Sequence, residues 1–300
     1  MARPGSPRQS RYLSVSRSID ELTDQEKELI VGGGDLTGEP LFFEQFNTPL
    51  GAHSLRQLSY SQTKCMDVRN SSGEYQTINY NTETKFVDTA SLYTHLGGST
   101  GSVSKMYNSN TAIQPLTQSD ENFQPEISMT NETSIPKISF GANTYFTSDP
   151  LLGLTRLDFY IHFNTDKISD TANTFDTKYV ILKASTANRY SLIARRLQLN
   201  TNLHSGFASG SLPEPELYVD KVNKGIDTST TRADIWTFQS GSHTLAYIKA
   251  KTQDWTGTVQ IGSGYTGYVP SGSYFSEIIY YSSSSDVDGI NNNMYNYWKA

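Results

Sequence analysis

Ser-Leu-Arg-Gln-Leu-Ser, residues 54–59, is the first of four short motifs that decide the fold. The others follow in the order Val-Arg-Asn-Ser-Ser at 68–72, Asp-Thr-Ala-Ser-Leu at 88–92 and Val-Ser-Lys-Met-Tyr at 103–107. Asp88 can cap a short helix that carries Leu92 and Leu96 on one side and ends at Gly97-Gly98. The surrounding apolar residues are typical of strands, so we expect one short helix among strands.

The order of these motifs resembles the α-L-arabinofuranosidase B family. The catalytic-like domain of that family is a concanavalin-type β-sandwich found in glycosidases and in phage virion proteins. The family usually continues as Tyr-Asp-Gln-Ser-Gly-x-Gly, whereas this chain reads Tyr107-Asn108-Ser109-Asn110-Thr111-Ala112. The resemblance therefore implies the fold, and the Asn in place of Asp removes an ionisable group because an amide cannot act as a general acid or base.

Composition limits the class of protein. The 300 residues are 36% hydrophobic and 18% charged, with 19 Tyr and 22 Gly, which is typical of strands joined by polar turns. The net charge of -6 argues against a protein that coats nucleic acid, and the single Cys65 excludes a disulfide framework. No apolar run is long enough for a membrane span, so we expect no membrane association. We expect no cofactor.

Strand patterns are clearest in the second half of the chain. Leu157, Phe159, Ile161 and Phe163 alternate with polar or smaller neighbours, which predicts a strand with these four side chains on one face. Further strands are predicted at Tyr179–Leu182, Ser191–Ala194, Ile235–Phe238 and Leu245–Ala250. The segment from 115 to 136 is predicted to be an excursion, a long loop on the surface. The predicted fold is all-β: a two-sheet antiparallel, concanavalin-like jelly-roll sandwich with short helices and an extended N-terminal arm.

The C-terminal segment adds a second resemblance. Its strand Tyr274–Tyr281 and the helical spacing of Ile290, Met294, Tyr297 and Trp298 resemble the end of laminin-G and concanavalin-like domains. Alternation predicts a central strand with Phe275 and Ile279 on one face and Ile278 and Tyr280 on the other. Glu277 then shares a face with Phe275 and Ile279, where it could be a buried or cleft-facing acid or a surface residue at a strand end.

The N-terminal 40 residues differ from the rest. Residues 1–17 are polar and basic, with arginines at Arg3, Arg8, Arg11 and Arg17. A capping box at Thr23–Glu26 predicts a helix over about residues 24–30, and Gly32-Gly33-Gly34 is expected to be a hinge between the arm and the domain. The alternative is a flexible linker with a frayed helix. We expect two parts, a partner-binding arm at 1–40 and a sandwich domain at 41–300.

Several residues are candidates for binding. Asn108, Tyr265, Tyr268 and Tyr274 could contact a carbohydrate through amide groups and ring faces, with turn or hairpin residues as the alternative. Asp286 and Asp288, two residues apart before Gly289, are a partial calcium pattern, although a turn and helix cap is the preferred interpretation and no metal is predicted. No catalytic residue is assigned.

These observations and the resemblance favour a bacteriophage virion structural protein. Its arm would anchor it to the particle and its lectin-like sandwich would face outward, as a head decoration, head fibre, tail or baseplate component. The expected partners are capsid or tail subunits, host surface glycans and further copies of the chain, and nucleic acid is not expected. The expected location is the virion, assembled in the host cytoplasm. The alternative is a carbohydrate-binding receptor-recognition module of a tail fibre, and an active glycoside hydrolase is a third reading that we do not favour.

Overall fold

The chain folds mainly into antiparallel strands. The computed structural model describes residues 40–141, 144–148, 157–165, 182–184, 190–191, 216–225, 241–249, 259–262 and 273–299. The helices in these residues are α1 (Phe42–Gln45), α2 (Thr89–Leu96) and α3 (Val287–Lys299), with a 3-10 turn at Glu121–Phe123. The strands are β1 (Gly51–Ser54), β2 (Lys64–Arg69), β3 (Tyr75–Asn79), β4 (Gly101–Met106), β5 (Leu116–Thr117), β6 (Glu126–Ser128), β7 (Lys137–Ser139), β8 (Phe146–Ser148), β9 (Leu157–Thr165), β10 (Leu182–Ala184), β11 (Tyr190–Ser191), β12 (Glu216–Val219), β13 (Val222–Asn223), β14 (Gly241–Lys249), β15 (Val259–Ile261) and β16 (Ser273–Tyr281).

Strand pairing and packing together define a β-sandwich. The pairing path runs β11-β10-β15-β8-β5-β4-β6-β7-β16-β9-β14-β12-β13. Outside this path, β2 pairs with β4, β3 pairs with β2, and β1 pairs with β16. Five steps separate β8 from β16, which is about 24 Å in a flat sheet. Yet the rings of Phe146 on β8 and Phe275 on β16 lie 6.3 Å apart. The sheet therefore folds over itself through β6 and β7, and its two halves enclose the main core, as the predicted all-β sandwich requires.

The central strands β9 and β16 are buried on both faces. Phe159, Ile161 and Phe163 enter the main core as predicted, while Tyr160 faces a second apolar cluster with α1 and α3. The side-chain pattern of β16 differs from the prediction. A register shift between Phe275 and Glu277 places Phe275 with Ile278 in the main core, because a bulge breaks strict alternation.

Two other residues of β16 belong to the second cluster. Ile279 and Tyr281 pack there with Ile290 and Met294 of α3. The helix predicted from the spacing of Ile290 and Met294 thus closes over the outer face of β16, as an amphipathic helix does when its apolar side needs cover.

Local signals place α2 where the sequence predicts it. The side chain of Asp88 accepts a hydrogen bond from the Ser91 amide at 3.0 Å, and Gly97 ends the helix with φ of 60°. Leu92 and Leu96 are buried in the main core. The region 115–136, predicted as an excursion, instead contains β5 and β6, whose two and three residues are too short to leave a periodic pattern.

Other predictions fall outside the described residues. They are the N-terminal arm with its helix and glycine hinge, the strand residues at 179–181 and 192–194, and the strand at 235–238. The division into an arm at 1–40 and a domain at 41–300 stays a prediction. No helix in the described ranges combines the length and hydropathy that a membrane crossing needs.

Candidate functional site: the α1–α3 cleft

A cleft of about 610 Å³ opens between α1, the loop after β1 and the solvent side of α3. We call it the α1–α3 cleft. Its walls combine aromatic rings, side-chain amides and a few charged groups. The lining residues are Pro40, Leu41, Phe42, Gln45, Phe46, Arg56, Gln57, Leu58, Thr84, Lys85, Asp286, Gly289, Asn293, Asn296 and Tyr297.

Short-range hydrogen bonds build the first wall. The Glu44 carboxylate accepts from the Leu41 amide at 3.1 Å, which closes the single turn of α1. The amide of Phe43 donates to the Leu58 carbonyl at 3.0 Å and ties α1 to the segment after β1. The Phe42 ring is then buried against Phe46, with centroids 4.7 Å apart. The aromatic wall is thus held by backbone contacts and by packing.

An ion pair between Arg56 and Glu277 lies behind the cleft. Arg56 Nε and Nη2 donate to the two Glu277 carboxylate oxygens at 2.6 and 2.7 Å, and Nη2 also donates to Asn293 Oδ1 at 2.9 Å. Ser54 Oγ and Trp298 Nε1 donate to the same carboxylate at 2.7 and 3.2 Å. Glu277 is fully buried, so these donors replace the water that the charge has lost.

Strand register explains why these groups meet. Glu277 on β16 is paired with Ser54 on β1 and with His162 on β9. Arg56 lies two residues beyond Ser54, and its amide donates to Ser54 Oγ at 3.0 Å. The bulge before Glu277 turns this carboxylate away from the main core. The sequence identified Glu277 as a possible buried acid, but the role of Arg56 was missed. The feature that could have indicated it is the position of a charged residue between the apolar residues Leu55 and Leu58.

His162 and Trp298 complete the floor under the ion pair. Their rings stack with centroids 4.9 Å apart and planes 5° from parallel. Burial lowers the pKa of His162 from 6.5 to about 4, although the Glu277 charge acts in the opposite direction. The imidazole is therefore neutral near pH 7, and the Trp298 indole can hold its hydrogen bond to Glu277 without a second cation beneath it.

The charges around the cleft cancel. Arg56 and Lys85 contribute two positive charges, while Asp286 on the lining and Glu277 behind Arg56 contribute two negative charges. Lys85 is also engaged, since its Nζ donates to the Thr82 carbonyl at 2.6 Å and lies 5.3 Å from the centroid of the Tyr60 ring. When the buried Glu277 is counted with Arg56, Lys85 and Asp286 of the lining, these four charges sum to zero, which suits an uncharged ligand with many hydroxyl groups.

Asn108 occupies an interior position away from this lining. It is 2% exposed, and its Oδ1 accepts from the amides of Ala52 and Asn110 at 3.1 and 3.0 Å. Its Nδ2 donates to the Gln114 carbonyl at 3.3 Å. This placement corresponds to the turn residue that was the alternative interpretation, because its polar atoms serve the protein backbone. A contact between Asn108 and a carbohydrate receives no support from it.

Among the predicted carbohydrate-binding residues that the structure describes, Tyr274 also lies outside the cleft lining. Tyr274 is half-buried at the start of β16, with Lys137 Nζ 5.1 Å from its ring centroid. Tyr265 and Tyr268 lie outside the described residues, as do the four arm arginines Arg3, Arg8, Arg11 and Arg17. The roles predicted for these residues stay predictions.

Asp286 forms the N-terminal cap of α3. Its Oδ1 accepts a hydrogen bond from the Gly289 amide at 2.8 Å, and its carbonyl accepts from the Ile290 amide at 3.1 Å. Asp288 lies exposed in the first turn. Within the part of the chain that the structure describes, no group of three or more His, Cys, Asp or Glu residues could hold a metal ion. The hydrogen bonds of Asp286 are those of a helix cap, and the expectation that no metal binds here stays a prediction.

Comparisons with known proteins identify two similar structures. No protein family and no curated protein matches the sequence. One solved structure is an arabinofuranosidase complexed with arabinofuranosyl-α-1,2-xylobiose, at 15% identity and a TM-score of 0.46. The other is a GH54 α-L-arabinofuranosidase soaked with a cyclic sulfate inhibitor, at 12% identity and the same TM-score. Each alignment covers 84% of this chain, and the chain spans 62% of the length of each enzyme.

These neighbours correct two predictions. Both are glycoside hydrolases and neither is a virion component, so the prediction of a bacteriophage virion structural protein is wrong. The tail-fibre alternative receives no better support from these neighbours. The prediction that the chain is not an enzyme is likewise overturned, because the solved proteins of similar fold are enzymes. At this level of identity the likeness describes the fold, and it assigns neither a reaction nor a substrate to this chain.

Proposed function

We propose that this is a carbohydrate-active protein that binds an uncharged saccharide in the α1–α3 cleft. The observation that carries the proposal is the composition of the lining, where the rings of Phe46 and Tyr297 stand beside the amides of Gln45, Asn293 and Asn296. Pockets for small ligands are typically roughly 300–1,000 Å³, with apolar walls and a few placed polar groups. The proposal includes the lectin-like character that the resemblance to concanavalin-type domains implies.

The lining matches the chemistry of a sugar in two ways. A pyranose or furanose ring has faces of C–H groups that pack on aromatic rings, and hydroxyl groups that both donate and accept hydrogen bonds. Side-chain amides can satisfy both kinds of bond. Because the charges around the cleft are paired, a neutral ligand that covers them does not strip water from an unpaired ion, which would be unfavourable.

Replacing Asn296 with alanine should weaken saccharide binding without altering the fold. Asn296 is exposed on α3 and lines the cleft. Loss of one hydrogen bond should raise Kd about 2- to 10-fold. The measurement is calorimetric titration of the full chain with arabinofuranosyl-xylobiose, xylo-oligosaccharides and cello-oligosaccharides.

Asn292→Ala is the matched control, because Asn292 is the same residue type, exposed on the same helix and absent from the lining. Its Kd should equal that of the unmodified protein. Failure of every saccharide in the panel to bind the unmodified protein would contradict the proposal, as would equal weakening by both variants.

Hydrolysis of the bound saccharide is a second candidate function, favoured by the Asp286 carboxylate on the cleft wall. Glycoside hydrolysis ordinarily uses two carboxyl groups, one as acid or base and one as nucleophile or base. If Asp286 is one of them, Asp286→Asn should lower the release of reducing sugar about 100-fold. Asn is also a good N-cap, so the stability of α3 should be kept.

The assay compares Asp286→Asn with Asp288→Asn, since Asp288 lies on the same helix outside the lining. Unchanged release in Asp286→Asn would remove Asp286 from the reaction. If the unmodified protein binds saccharide but releases no reducing sugar, hydrolysis is excluded while binding stands.

A further inference from the structure

The guanidinium of Arg56 has hydrogen-bonding capacity that none of the described residues uses. Its Nε donates one bond and its Nη2 donates two, to Glu277 and to Asn293. No described residue accepts a hydrogen bond from Nη1. A guanidinium has five N–H donors in a fixed planar fork, so two donors remain. The residue is 7% exposed and lines the α1–α3 cleft, which is where these donors can find an acceptor.

The position of this fork is fixed from several sides. Two charge-assisted bonds to Glu277 set its plane, and the Tyr297 ring centroid lies 4.3 Å from Cζ. Asn293 Oδ1 holds the remaining Nη2 hydrogen. A donor group held this firmly loses little conformational freedom when it binds a ligand, so it is suited to discriminate between ligands.

We infer that Arg56 is the residue that selects the ligand, by donating from Nη1 to two neighbouring hydroxyl oxygens of an uncharged sugar, and that Glu277 is its positioning residue. This inference rests on the proposed function. The Glu277 charge already neutralises Arg56, so a carboxylate on the ligand would meet no net positive charge and would lie near Glu277. Hydroxyl oxygens accept from the fork without that repulsion.

Arg56→Lys is the first test, because lysine keeps the positive charge beside Glu277 but lacks the planar fork. Its Kd for arabinofuranosyl-xylobiose should rise about 10- to 100-fold, as expected for the loss of hydrogen bonds from a charged donor. Thermal unfolding and near-ultraviolet circular dichroism of the same sample report whether the variant is folded. Asn292→Ala again serves as the control with unchanged binding.

Ligand variants provide a test that does not depend on the folding of the Lys variant. Deoxy analogues of the probe, each lacking one hydroxyl group, are titrated against the unmodified protein. Removal of either of two neighbouring hydroxyl groups should raise Kd about 10-fold. A matching probe in which a uronic acid replaces the neutral sugar should bind more weakly than the neutral probe.

The outcomes separate this inference from the proposed function. If Asn296→Ala weakens binding while a folded Arg56→Lys variant does not, the selection role of Arg56 is wrong and saccharide binding stands. Equal affinities across the deoxy series, or tighter binding of the uronate, also overturn the inference. If the unmodified protein binds none of the neutral saccharides, the proposed function and the inference fall together.

Discussion

Replacing Glu277 with alanine should lower the free energy of unfolding by about 3–5 kcal/mol, because it leaves the Arg56 charge buried without its partner. Arg56 is 7% exposed and Glu277 is fully buried, so water cannot readily replace the lost carboxylate. Ser54 Oγ and Trp298 Nε1 also lose their acceptor. Urea unfolding followed by circular dichroism measures the change.

Two controls identify the cause. Glu132→Ala removes a carboxylate from an exposed loop and should change the free energy of unfolding by less than about 0.5 kcal/mol. Arg56→Met combined with Glu277→Leu removes both charges, and it should recover most of the stability lost in Glu277→Ala, since a buried ion pair contributes little compared with an apolar pair of similar volume. A loss below about 1 kcal/mol in Glu277→Ala would show that the pair is not desolvated in the way the geometry indicates.

Features that depend on neighbouring residues could be predicted from the sequence. The helix α2 is such a case, because Asp88 caps its first turn and Gly97 supplies the left-handed residue at its end. The strand β9 is another, since alternation of Phe159, Ile161 and Phe163 directly reflects the pleat. The sandwich itself was predicted from many such strand patterns and from a sequence that shows no long helical pattern between them.

Features that depend on distant pairing could not be predicted in the same way. Arg56 and Glu277 are 221 residues apart, and the register between β1 and β16 brings them together. The bulge before Glu277 reverses the side-chain assignment of Phe275, and an extra residue of this kind leaves no mark in a hydrophobic pattern. The sequence left Asn108 as either a carbohydrate contact or a turn residue, and its burial could not be predicted because it depends on bonds to the Ala52 amide and the Gln114 carbonyl in other segments.

Lowering the pH from 6.5 to about 4 should destabilise the fold through two buried histidines, His53 and His162. Burial lowers the pKa of His53 from 6.5 to about 4, more strongly than its hydrogen bond to the Tyr107 carbonyl raises it. His162 is shifted to about the same value, also mainly by burial. In this pH range the unfolded chain takes up a proton at each histidine and the folded chain does not.

The sign of the effect follows from this difference in bound protons. When the unfolded state binds more protons, the free energy of unfolding falls as the pH falls, by about 1.4 kcal/mol per pH unit for each histidine. The contribution is complete above pH 6.5 and is lost by about pH 4, which amounts to on the order of 3 kcal/mol per histidine. Below that range both states are protonated and these groups add no further slope.

The contribution of each histidine is measured by replacing it with asparagine, which does not titrate, and by repeating urea unfolding from about pH 7.5 to about pH 4.5. Carboxylates also titrate in acid, so the quantity that matters is the difference in slope between variant and unmodified protein. His53→Asn and His162→Asn should each reduce the slope by about 1.4 kcal/mol per pH unit, and the double variant by twice as much.

His53 provides the sharper test, because its Nδ1 donates to the Tyr107 carbonyl at 3.2 Å while its Nε2 has no partner among the described residues. A proton on Nε2 would therefore be buried without an acceptor, and an unchanged slope in His53→Asn would mean that this imidazole is hydrated in the folded protein.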